Sequence, residues 1–131
     1  MLPDTALQRL AALLSPTRVD LAYHIHPLPK GVVSAARGGL ALLFAPATTP
    51  NERYDQAQRL RFQLMGLLPP GHAETIMLND SRLGVAAAVV AQGTVVFSRD
   101  EGQRLRYEML ILSQELDFAA TMTRLRGGNA S

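Results

Sequence analysis

The chain has 131 residues, 47% of them hydrophobic and 18% charged, which is enough for one hydrophobic core and far from the polar, highly charged signature of disorder. It has no cysteine, which excludes a disulfide framework, a thiolate zinc site and a cysteine nucleophile. The formal charge is +2, carried by arginines scattered among acids with Lys30 the only lysine, so the balance gives no support to nucleic-acid binding.

Leu7, Leu10, Ala11 and Leu14 recur at helical spacing, which predicts a helix over Leu2 to Leu14 with Pro3 ahead of it and Asp4 as its cap. Ser15-Pro16-Thr17 stops it, and Val19 to His26 reads as a strand ended by Pro27. The apolar run Leu40 to Phe44, preceded by Gly38-Gly39, suits a central strand buried on both faces. Asn51 is the expected cap of a second helix, in which Tyr54, Ala57, Leu60, Leu64 and Leu67 keep the period until Pro69-Pro70-Gly71.

A third strand is expected over Glu74 to Leu78, then a helix capped by Asp80 or Ser81 and stopped at Gly93. Thr94 to Phe97 reads as the last strand, and Asp100 caps a long helix whose apolar face is Leu105, Met109, Leu112, Leu116 and Phe118. This order predicts an α/β (α+β) fold, a small mixed sheet of about four strands covered by helices, with residues 1–126 as one domain and 127–131 as a flexible tail. There is no secretory leader pattern and no run of roughly 20 apolar residues, so a cytoplasmic protein without a membrane segment is expected.

Leu21-Ala22-Tyr23 and the loop to Gly31, the strand Leu40-Ala41-Leu42-Leu43-Phe44 and the stretch Glu74 to Asn79 resemble, in order and spacing, the minimal nucleotidyltransferases of the polymerase-beta-like superfamily. The resemblance continues through Gly93 to Asp100, Tyr107-Glu108 and Leu116-Asp117-Phe118. It implies a nucleotidyltransferase-like fold in which a Gly-Ser loop falls on His26-Pro27, two metal-binding aspartates fall on Arg37 and Gly39, and a third falls on Glu74. Only Glu74 keeps a carboxylate, and neither Asp nor Glu occurs from Val32 to Pro50, so no one-residue slip restores the pair. Two metals against a triphosphate need oxygen ligands that Arg37 and Gly39 do not supply, and Pro27 and Pro29 remove backbone donors from the phosphate loop.

The residues therefore point to a degenerate, non-catalytic member acting as a binding or regulatory partner. Because members of the family pair with HEPN-type proteins as antitoxins, the resemblance implies a HEPN-type protein partner. Arg104, Arg106 and Tyr107 are the expected interface residues. Two alternatives stand beside this reading: an active nucleotidyltransferase modifying a protein partner, with magnesium and a nucleoside triphosphate as cofactors, and a homodimeric interaction module. No cofactor is expected otherwise.

Two smaller readings concern the same region. His26, Lys30 and Arg37 could form an anion pocket, and His24 and His26, two apart on a strand, could bind a metal with Glu74, although ordinary hydrogen bonding is the simpler reading. Ser34 and Ser113 lack a nucleophile-elbow context, and Glu108, Glu115 and Asp117 read as the solvated face of the last helix.

Overall fold

The computed structural model describes residues 2–130, with side chains through 127. Helix α1 spans Asp4–Leu14, strand β1 Val19–Ile25, strand β2 Gly39–Phe44, helix α2 Pro50–Leu64 and strand β3 Glu74–Met77. A short 3-10 turn at Leu78–Asp80 leads to helix α3 at Leu83–Gln92, strand β4 at Thr94–Ser98 and helix α4 at Glu101–Ala130. The sheet order is β3-β2-β1-β4, with β2 and β3 parallel and the other pairs antiparallel, so the sheet is mixed as the sequence predicts.

Alternation along the central strands divides the apolar side chains between the two faces of the sheet. Leu40, Leu42 and Phe44 pack with Leu10 and Leu14 of α1 and Leu60 and Leu64 of α2. Tyr23, Ile25, Ala41 and Ile76 pack on the other face with Val85 and Val89 of α3 and Ile111 of α4. A register irregularity between Val19 and Leu21 lets one strand place Val19 and Ala22 on the first face, and Leu21, Tyr23 and Ile25 on the second.

Three of the expected caps are corrected. Pro3 occupies the cap position of α1, and Asp4 lies in its first turn without a capping bond. Thr49, not Asn51, caps α2, accepting from the Glu52 N–H with Pro50 at the first helical position. Arg82 stands at the cap of α3, because Asp80 is engaged by Arg53 and the Ser81 hydroxyl donates to Met77 O. Asp100 does cap α4, accepting from Gly102 N at 2.8 Å and Gln103 N at 3.3 Å.

Helix α4 departs furthest from expectation. Its backbone is helical through Ala130, and Ser131 lies outside the described residues. Among the residues whose side chains are described, Ile111 is the last buried one, and every residue from Leu112 to Gly127 is exposed. Leu105, Met109, Leu112, Leu116 and Phe118 are thus not core: they range from 42% to 71% exposed. Glu108 is not simply solvated either, since it accepts from the Tyr23 hydroxyl at 2.6 Å and from Arg104 at 3.0 Å. Burial, reinforced by Glu108, pushes the Tyr23 phenol far above its ordinary value, so it remains a donor.

Candidate functional site

The end of β1 and the starts of β2 and β3 meet at one end of the sheet, where Gly39 is opposite Ile25 on one side and Glu74 on the other. The connection from His26 to Gly38 lies over this end. It is fastened by Arg37 N and Gly38 N, which donate to Gly71 O at 2.7 and 3.2 Å, and by His26 Nδ1 against Arg37 O at 3.0 Å. The positions His26, Arg37, Gly39 and Glu74 are therefore gathered in space from three strand ends and one loop.

What they form is not a metal cradle. A Cβ placed on Gly39 would sit 2.8 Å from the Glu74 carbonyl carbon and closer still to its oxygen, so β2 and β3 approach too tightly here for any side chain. Gly38 is constrained too, its Cβ position lying 2.7 Å from Ile25 O and 2.9 Å from His72 Nδ1. The Glu74 carboxylate is engaged by the Ser34 hydroxyl, which donates to it at 3.0 Å and accepts from Ala36 N at 3.1 Å. Arg37 brings a permanent cation to the same end. A divalent metal pair does not fit this donor set, and among the described residues no group of three acidic, histidine or cysteine side chains could hold a metal ion.

The residues of the two smaller readings also have neighbours that the sequence does not name. His24 and His26 turn to His72 rather than Glu74: His24 Nε2 lies 3.0 Å from His72 Nδ1, and the His26 and His72 rings stack with centroids 4.7 Å apart. The three rings line a cavity of about 210 Å³ shared with Gln92 and Thr94. Lys30 does not join His26; it lines a separate cavity of about 600 Å³ with Arg82, Ser81 and Thr75. His72 is the residue the sequence undervalues, because a Pro-Gly turn gives no sign that it folds back on a strand 48 positions earlier.

The His24–His72 contact holds one proton between two nitrogens. Burial first, and then the neighbouring histidines, keep both imidazoles below their ordinary value. The unfolded chain takes up these protons near pH 6.5 and the folded chain resists them, so this contribution to stability is complete above that pH and is lost as pH falls through it. The melting temperature is expected to drop between pH 7.5 and pH 5, and to drop less in His72→Gln; an equal drop in both proteins would refute the assignment to this pair.

Of the expected interface residues, Arg104 is tied within its own helix to Glu101 and Glu108. Tyr107 is half-buried, its hydroxyl enclosed without a partner and its pKa pushed up to about 12 by burial. Arg106 is exposed and lines a shallow cavity with Leu110 and Pro46. No described helix is long and apolar enough to cross a membrane.

The backbone arrangement defines a fold class: this mixed four-stranded sheet covered by helices is shared with MNT-type chains of solved toxin–antitoxin complexes. Among solved structures, a chain of the toxin–antitoxin complex MntA–HepT is 14% identical, with a TM-score of 0.65 over 98% of this chain and 100% of that one. A chain of the complex between the tri-AMPylated Shewanella oneidensis HEPN toxin and its MNT antitoxin is 16% identical, with a TM-score of 0.63 over 97% of this chain and 98% of that one. No family profile and no curated protein matches the sequence.

Proposed function

We propose that this chain is a non-catalytic, cytoplasmic antitoxin-type partner of a HEPN-type protein. The observation that carries the partner is helix α4: on a fold shared with chains of toxin–antitoxin complexes, its distal half leaves Phe118, Met122 and Leu125 at 61%, 36% and 59% exposure. These three continue the stripe that starts with the half-buried Tyr107 and the buried Ile111, so the inward side of the helix runs off the body and stays apolar. Supporting the loss of catalysis are the cation at Arg37, the closed backbone at Gly39 and the engagement of Glu74 by Ser34.

The reading expects a HEPN-type reading frame beside this one, and co-purification with its product tests the partner. Wild type is expected to retain it, and Phe118→Asp with Met122→Asp to lose it by roughly 100-fold or more, as interface hot spots do, without a change in melting temperature. Failure of the wild type to bind would refute the partner. Incubation with labelled ATP and magnesium tests the chemistry: label transferred to the HEPN-type protein and abolished by Glu74→Ala would establish the active alternative instead.

A further inference from the structure

Helix α4 carries a second apolar stripe that this reading does not use. Leu105, Met109, Leu112 and Leu116 follow one another at intervals of four, three and four residues and are 52%, 70%, 42% and 71% exposed. At 3.6 residues per turn they lie roughly half a turn round the helix from Ile111, Phe118 and Met122. They therefore face away from the body along the length where the helix is packed as well as where it projects. A partner seated on the inward side of the distal half would leave this outer stripe uncovered.

We infer that the outer stripe is a self-association surface that pairs α4 with α4 of a second copy, in parallel and in register. The spacing is that of a coiled-coil seam, with Leu105 and Leu112 at d positions and Met109 and Leu116 at a positions. Ala119 extends the seam by one further d position.

Charge selects both the occupant and its direction. The g flank carries Glu101, Glu108 and Glu115, of which Glu108 is turned to Tyr23 and Arg104, whereas the e flank carries Arg106, Ser113 and Ala120. In a parallel pair each g residue meets the e residue five positions on in the other copy, so Glu101 meets Arg106 twice by symmetry, and Glu108 and Glu115 meet uncharged residues. An antiparallel pair would set the acidic g flanks against each other. The body lies on the inward side of the helix, with Tyr107 and Ile111.

The chain has no cysteine, so a single introduced thiol reports the geometry cleanly. Light scattering on the purified full-length protein is expected to show concentration-dependent doubling of the 14.2 kDa mass. Leu112→Asp is expected to raise the dissociation constant by roughly 100-fold or more while leaving unchanged the melting temperature measured at concentrations where both proteins are monomeric, since Leu112 is exposed. Oxidised Leu112→Cys is expected to form a disulfide-linked dimer, as facing d positions do in a parallel pair. A monomer at every concentration, a dimer indifferent to Leu112→Asp, or cross-linking only in a Leu105→Cys, Leu116→Cys double variant would overturn the proposal. None of these readouts involves the HEPN-type partner, so they stand or fall separately from its binding.

Discussion

Replacing Arg37 and Gly39 together with aspartate, which writes the two absent carboxylates back into the sequence, is expected to give a less stable protein and no nucleotide transfer. The two substitutions differ in physical consequence. Arg37 is exposed and its fixed contacts run through its backbone, the N–H to Gly71 O and the carbonyl to His26, so Arg37→Asp alone should change stability by about 0.5 kcal/mol or less. Gly39 is buried between β1 and β3, and the Cβ of any replacement falls inside the contact distance of the Glu74 backbone.

Relieving that overlap requires β2 and β3 to separate at the register pair that starts the parallel ladder, a change expected to cost about 3 kcal/mol or more. Against a typical domain stability of roughly 5 to 15 kcal/mol, this is a large share. Gly39→Ala separates sterics from charge: it should lose nearly as much as Gly39→Asp, because the first added carbon already collides. Urea midpoints and magnesium-dependent label transfer are the measurements. A double variant that keeps the wild-type midpoint and transfers label would mean that the end of the sheet opens easily and accepts carboxylates at both positions.

The contrast between Arg37 and Gly39 also marks what could be read from the chain beforehand. That carboxylates are missing was visible in the letters from Val32 to Pro50; that a carboxylate could not return to position 39 was not, because it depends on how closely β3 is drawn against β2. The order of elements was legible because Pro and Gly bound each strand and the apolar period changes between strand and helix. The capping of α2 was misplaced although its signal was present, a threonine followed by proline at the first helical position. The last helix exposes a deeper limit: a stripe at helical spacing looks the same whether the body or another molecule covers it, so Leu105 to Leu116 could be recognised as apolar but not as uncovered. His72 against His24 and Tyr23 against Glu108 join residues 48 and 85 positions apart, and no local pattern encodes such pairs.

The second large effect is expected at Arg99, a residue that in the sequence is only a basic letter after a strand. Its guanidinium donates to four backbone carbonyls of the α1–β1 connection and β1: Leu14 at 3.4 Å, Ser15 at 3.1 Å, Thr17 at 3.0 Å and Val19 at 2.8 Å. It also faces the Asp20 carboxylate at 3.5 Å and lies over the Phe97 ring, 5.3 Å from the centroid. Helix α1 ends at Leu14, where the last carbonyls of a helix lack intrahelical partners, so Arg99, just past the end of β4, supplies the donors that this terminus and its turn require. Arg99→Ala leaves those carbonyls to water or to nothing and frees the turn that sets α1 against the sheet. The expected loss is about 2 to 3 kcal/mol, discounted from the sum of the individual bonds because several of them are solvent-exposed. Arg99→Lys should recover little of it, since one ammonium cannot span acceptors that the planar fork reaches together. Urea denaturation with an unchanged slope would register the loss as stability of the whole fold. A midpoint for Arg99→Ala within about 0.5 kcal/mol of wild type would show instead that the α1–β1 turn holds its shape without the clamp.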